Sequence, residues 1–210
     1  VTGLVRAELH QRMLIDELNH RVKNMLTVVL TLVEQTAVGA ISLDMFKERY
    51  TGRLKALSAT YGLLSREQWK AIGLAELLEE EIRPFRTSDG DNVTLQGTAL
   101  ALKPGAALVL GMASHELVTN AVKYGALSSP QGRIAIAWTV QDSRFVLDWT
   151  ETGGPAAQAP PALGFGMTLI RRSVEHELEG RVDFTFGDEG LRMRMEAPLA
   201  SLIAQPEATE

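Results

Sequence analysis

A run of apolar residues near the N-terminus constrains the fold more than any other feature. Ile15, Leu18, Val22, Met25, Val29 and Leu32 are spaced 3, 4, 3, 4 and 3 residues apart. A helix places such residues on one stripe, and the heptad spacing makes that stripe a seam for other helices. Leu14, Leu26, Leu30 and Val33 widen the stripe, as in a bundle rather than a two-stranded coil. The pattern breaks at Val38-Gly39-Ala40-Ile41. Ser42 is a natural N-cap for a second helix, in which Phe46, Tyr50, Leu54, Leu57, Tyr61 and Leu64 recur at helical spacing. The short connection predicts an antiparallel helical hairpin, and two such hairpins would make a four-helix bundle. With Leu18 at heptad position d, His20 falls at position f, opposite the seam, and is expected to face solvent.

The rest of the chain alternates between periods. Helices are expected over 74–85, 104–124 and 167–178, the second with Pro104 in its first turn. Strands are expected over 92–97, 133–139, 144–150, 181–186 and 191–197. Turn residues stand at Gln141-Asp142-Ser143 and Gly187-Asp188-Glu189-Gly190. Thr152 to Leu163 is rich in Gly, Pro and Ala and is expected to be a loop. The pattern predicts an α+β chain: a helical hairpin over 1–70, a two-layer α/β sandwich over 71–200 and a frayed tail over 201–210.

Composition sets outer limits. Of 210 residues, 45% are apolar, enough for a substantial core, and the net charge of −5 argues against nucleic acid or an anionic membrane as partner. There are no cysteines, so disulfides and thiolate metal sites are excluded. No apolar run reaches the length of a membrane span and no signal peptide is evident, as expected of a cytoplasmic chain.

Four groups of residues carry possible chemistry. His20, flanked by Arg21, Lys23 and Asn24, offers an imidazole nitrogen as phosphoryl acceptor, with neighbours suited to phosphate oxygens. Glu116, Asn120 and Lys123 are spaced 4 and 3 and share a helical face. There Asn120 can supply one hard oxygen to Mg²⁺, Glu116 can hold or activate a water, and Lys123 can neutralise phosphate. Phe145, Leu147, Trp149 and Glu151 alternate along one strand face, and Glu151 precedes Gly153 and Gly154. A carboxylate there can accept the adenine amine, and the glycines let a base approach the backbone. Gly164-Phe165-Gly166-Met167-Thr168 opens a helix whose N–H groups can meet phosphate. It lacks a P-loop lysine and does not follow a strand, which excludes P-loop and dinucleotide readings.

The order of these motifs resembles a bacterial sensor histidine kinase of the HWE family, whose ATP domain belongs to the GHKL superfamily. The family takes its name from a histidine in the N box and a Trp-x-Glu in the G1 box, matched by His115 and by Trp149-Thr150-Glu151. Glu17 to Asn24 resembles the H box and Gly164-Phe165-Gly166 the G2 box, and no F box is evident. The resemblance covers about Leu14 to Ala197. It implies a dimerising phosphotransfer hairpin followed by a sandwich of GHKL (Bergerat) type that binds ATP and Mg²⁺. It further implies His20 as phosphoacceptor, with Glu116 and Asn120 beside the metal and Lys123 in catalysis. Glu151 would meet adenine, with His115, Trp149, Gly153, Gly154, Gly164, Gly166 and Thr168 completing the nucleotide site and Thr152 to Leu163 forming the lid. The implied partners are a response-regulator receiver domain, a second copy of the hairpin and, if the chain is a fragment, an upstream sensor domain. Many histidine kinases place an acid directly after the phosphoacceptor. Here that position is Arg21, which leaves Glu17 or Glu116 to take the proton. His115 would hold the G1 strand or the lid, or contact phosphate. The alternative function is a nucleotide-binding pseudokinase or scaffold module.

Overall fold

A computed structural model of the chain describes residues 2–38, 42–67, 69–87, 91–158 and 163–204. Outside this description lie the expected break at 39–41, residues 159–162 of the loop, the tail from 205 and the side chains of Glu17, His20 and Arg21. Compact packing divides the chain into two units, Val1–Leu54 and Lys55–Glu210.

The first unit holds helix α1 (Thr2–Val38) and the first half of α2 (Leu43–Arg66). Ser42 caps α2 as its sequence position implies. Its Oγ accepts the Met45 N–H at 3.2 Å and its carbonyl accepts the Phe46 N–H at 3.0 Å. Arg53 is buried and donates from Nη1 to Thr36 Oγ1 at 2.8 Å, which ties the two helices side by side. The α1 seam departs from expectation. Ile15 is 48% exposed, Leu18 60%, Val22 42% and Met25 37%, whereas Leu32 is buried. The apolar stripe is present, but among the described residues its N-terminal half stays open to solvent.

The second unit is built on a five-stranded sheet in the order β2-β4-β5-β7-β6. Its strands are β2 (Val93–Gly97), β4 (Arg133–Gln141), β5 (Arg144–Thr152), β6 (Arg181–Gly187) and β7 (Gly190–Pro198). The β2–β4 pair is parallel and the other pairs are antiparallel. A second, two-stranded sheet pairs β1 (Ile72–Gly73) with β3 (Ala101–Leu102), neither of which is long enough to leave a periodic signal. Ile134, Ile136 and Trp138 of β4, Phe145, Leu147 and Trp149 of β5, and Met193, Met195 and Ala197 of β7 fill one face, as period-two alternation requires. The other face is polar: Arg194 bridges Asp148 at 3.0 Å and Glu196 at 3.1 Å.

Helices α3 (Leu74–Ile82), α4 (Pro104–Lys123) and α5 (Phe165–Glu177) complete the second layer, with α4 packed against both others. Leu110, Leu117 and Ala121 of α4 share one core with Ile136 and Trp149. Leu63 and Leu64, from the last turns of α2, belong to the same core. There α2 and α4 approach closely, because a Cβ at Gly111 would stand 2.5 Å from Thr60 Oγ1. The packing boundary therefore falls inside α2. Among the described residues, no helix is long and apolar enough to cross a membrane.

Phe145 is fully buried on the core face of β5. Phe145→Ala is expected to destabilise the chain by about 3–5 kcal/mol in denaturant unfolding. A loss below about 1 kcal/mol would contradict the placement of this face in the core.

Candidate functional site

Helix α4 carries the first group of site residues. Pro104 occupies its first turn, where a missing N–H costs nothing. The helix closes with the Tyr124 N–H on the Asn120 carbonyl at 2.8 Å and the Gly125 N–H on the Ala121 carbonyl at 3.1 Å. Along one face the burial is graded: Glu116 is 9% exposed, Asn120 is half-buried and Lys123 is exposed. The predicted triplet is thus assembled, with its carboxylate deepest and its ammonium outermost.

Helix α5 begins over Glu116. A Cβ on Gly166 would lie 2.2 Å from Glu116 Oε2, so the first turn of α5 and the carboxylate touch only because residue 166 is glycine. The N-terminal end of a helix carries partial positive charge and favours an anion. Gly164 forms the N-cap, and a Cβ there would meet nothing within 4 Å. Thr168 turns its hydroxyl back to the Gly164 carbonyl at 3.2 Å.

Glu151 continues the face of Phe145, Leu147 and Trp149, as its spacing implies. It lies on the core face of β5, opposite Ile134, and is 1% exposed. Oε1 accepts the Trp149 indole N–H at 3.0 Å and Oε2 accepts the Ala126 N–H at 2.8 Å. Burial pushes its carboxyl above the usual carboxylate range, and the two hydrogen bonds, from Ala126 and Trp149, pull partly back. Trp149 is itself fully buried, so in this structure it acts on Glu151 and not on a surface. A Cβ at Gly125 would stand 2.0 Å from Glu151 Oε2, and one at Gly190 2.6 Å from the Glu151 carbonyl. Gly190 also has φ +135, a conformation that favours glycine. Gly153, at φ +70, and Gly154 pack the end of β5 onto the turn that follows α4, against Gln131 and Ala126.

The loop after β5 is braced by the β6–β7 turn, where the Ala157 N–H donates to the Gly187 carbonyl at 2.9 Å. His115 points elsewhere. Its Nδ1 lies 3.2 Å from Glu81 Oε2 on α3, so the ring ties α4 to α3. Glu81, Ala126 and Gly190 are contacts of the predicted residues that sequence reasoning missed. Glu81 had a signal, the run Glu79-Glu80-Glu81, whereas a backbone N–H such as that of Ala126 leaves none.

The residues suit a magnesium–nucleotide complex. Among the described residues, no three His, Asp or Glu side chains gather as a metal site. A cation beside Asn120 and Glu116 would therefore take further oxygens from water and phosphate, as Mg²⁺ does. The exposed Lys123 and the N-terminal N–H groups of α5 offer positive charge to an anion there.

The architecture is that of a histidine kinase domain. The histidine kinase domain of the Erythrobacter litoralis blue-light activated histidine kinase shares it with a TM-score of 0.57 at 15% identity, over 83% of this chain and 95% of that one. A longer structure of the same kinase gives 0.61 at 16% identity, over 84% and 59%. Residues 17–99 match the family model described as HWE histidine kinase. The blue-light-activated histidine kinase of Brucella anthropi is 32% identical over 205 residues, covering 96% of this chain and 42% of that protein. By these matches the chain is similar to the HWE histidine kinases. It spans less than half the length of the curated relatives it matches.

The raised carboxyl of Glu151 has a signed consequence. A group whose folded pKa is raised favours folding most at low pH, and that contribution is lost as pH rises through its folded pKa. Relative to Glu151→Gln, the parent should therefore lose stability as pH rises above the ordinary glutamate range. Thermal unfolding of both proteins over rising pH tests this. A stability gap that is constant, or that moves in favour of the parent, would contradict the burial cost.

Proposed function

We propose that the chain is the transmitter core of a sensor histidine kinase, which moves the γ-phosphoryl group of ATP to its own His20 for relay to an aspartate on a response-regulator receiver domain. One observation carries this reading: Glu116, Asn120 and Lys123 line one face of α4, and Gly166 in the first turn of α5 lies against Glu116. Similarity to this family brings the expectation of ATP, and the donor set favours Mg²⁺ with it. Functionally, residues 1–70 would serve phosphotransfer and 71–200 nucleotide binding.

In this reaction an imidazole nitrogen of His20 attacks the γ-phosphorus, the bond to the ADP oxygen breaks, and the ring proton passes to Glu17 or Glu116. Catalysis of this kind is mostly positioning and charge neutralisation. Asn120 supplies an oxygen to the cation, Lys123 neutralises phosphate, and the first turn of α5, from Gly164 to Thr168, meets phosphate with its N–H groups. Glu151, placed by Trp149 and Ala126, is the acceptor for the adenine amine. A carboxylate has about four lone-pair sites, so two internal bonds leave capacity. Reaching it requires the Gly125–Ala126 turn to move. The exposed seam of α1 is the dimer surface, since an apolar stripe of this length is costly in water.

After incubation with radiolabelled ATP and Mg²⁺, the full chain should carry acid-labile, base-stable label. His20→Ala should remove the label and keep ATP affinity, because the nucleotide residues lie in the other unit. Label that persists in His20→Ala would overturn the acceptor assignment, and an unlabelled parent would favour a pseudokinase or scaffold.

Light scattering tests the seam. The parent should have the mass of two chains. Val22→Asp should have the mass of one and melt below the parent, since dissociation removes the stabilisation that association supplies, although Val22 is 42% exposed within a single chain. A parent with the mass of one chain would refute the dimer.

A further inference from the structure

In the reaction proposed above, a nucleotide held by one unit must reach a histidine of the other, and must then withdraw so that a receiver domain can take its place. The chain therefore has to bend somewhere between the two units. The obvious place is the connection after α2, because chains flex most readily where helices end. That connection is pinned on both sides. Leu63 and Leu64, in the last turns of α2, belong to the sandwich core. The Trp69 N–H donates to the Leu64 carbonyl at 2.7 Å, and its ring meets that of Tyr61 edge-on with centroids 5.2 Å apart. Trp69 holds φ +61, a left-handed conformation that a bulky residue adopts only where its surroundings impose it. Ile72 follows, fully buried and paired with Leu102.

Upstream, α2 changes partner. Arg53 is buried and bound to Thr36 of α1, so this part of the helix belongs to the hairpin. Thr60 is also buried, but against α4: a Cβ on Gly111 would stand 3.6 Å from the Thr60 Cβ. About two helical turns separate these anchors, and the packing boundary after Leu54 falls between them. Sharp bends in helices occur at identifiable residues, proline and glycine foremost. Helix α2 holds no proline and two glycines, Gly52 and Gly62. Glycine in a helix interior weakens it relative to alanine. Gly62 lies in the part fixed on the sandwich, where a Cβ would meet nothing within 4 Å. Gly52 adjoins Arg53, beside the boundary.

We propose that the pivot between the two units lies inside α2, at Gly52, and that the helix from Thr60 to Arg66 travels with the sandwich as one body. The last turns of α2 are then part of the nucleotide-binding unit, and the connection around Trp69 is a clamp rather than a hinge. The inference rests on the kinase reading for the motion it serves.

Two measurements on the full chain test it, and both use the absence of native cysteines. The first is the distance between spin labels on cysteines introduced at exposed positions. Ser65→Cys with Asp142→Cys lies within the sandwich unit and should give one narrow distance. Glu34→Cys with Asp142→Cys spans the two units and should give a broad distribution that narrows when Gly52→Ala is added. Gly62→Ala should leave it broad. The second is the rate of autophosphorylation. Thr60→Cys with Gly111→Cys would set two Cβ atoms 3.6 Å apart, within the span of a disulfide. The oxidised chain should take label at the parental rate, because the staple lies wholly on one side of the pivot. Gly52→Ala should melt above the parent and take label about fivefold more slowly. Gly62→Ala should also melt above the parent but keep its rate. A Ser65–Asp142 distribution as broad as that of Glu34–Asp142 would overturn the proposal, as would a narrow Glu34–Asp142 distance in the parent. So would a staple that blocks labelling until it is reduced, or a Gly52→Ala chain that stays broad or melts below the parent. If the parent takes no label, the kinase reading fails, while the spin-label distances still decide where the chain bends.

Discussion

The arrangement of the sandwich turns on one carboxylate in an apolar place. Glu151 occupies the core face of β5, in a row with Phe145, Leu147 and Trp149 and opposite Ile134. Burying a charge there is costly unless it is hydrogen-bonded. The compensation comes from one side chain and one backbone group, the Trp149 indole and the Ala126 N–H. The Ala126 bond requires the turn after α4 to lie directly over the end of β5. That requirement explains the glycines around it: Gly125 and Gly190 leave no room for a Cβ beside Glu151, and Gly153 and Gly154 let the two segments touch. One interaction thereby joins the end of α4, the end of β5 and the β6–β7 turn. These are the elements that frame the proposed nucleotide site.

Helix α4 is the hub of the other half of the site. One side joins the core through Leu110, Leu117 and Ala121. A second meets α5 where Gly166 touches Glu116, and a third meets α3 through His115 and Glu81. A helix covered on several sides can expose functional groups only near its end. That is why Lys123 is open to solvent, Asn120 is half-buried, and Glu116 reaches the site only beneath α5. The graded depth suits a ligand whose phosphates and cation insert at one end of the helix.

Much of this was legible in the residues. The five strands of the main sheet, the three sandwich helices and the Ser42 cap each follow from a period or a capping residue, and all are present within a few residues of expectation. The Glu116–Asn120–Lys123 face followed from helical spacing alone. Four things were not legible, each for a physical reason. The two-residue strands β1 and β3 are shorter than any period. The burial of Glu151 depends on an N–H of Ala126, and a backbone group has no letter in a sequence. The α1 seam was correctly read as apolar, but whether a stripe is buried depends on how many chains are present, which a single chain does not encode. The pairing of His115 with Glu81 spans 34 residues, and no local spacing announces it.

The account depends on the α4 face and the start of α5 forming a site for nucleotide with its cation. Calorimetric titration of ATP into the parent and into Asn120→Ala, each with and without Mg²⁺, tests this most directly. Loss of one oxygen ligand should weaken Mg·ATP binding about tenfold or more and leave metal-free ATP binding nearly unchanged. Equal affinities with the same Mg²⁺ dependence in both proteins would contradict the account.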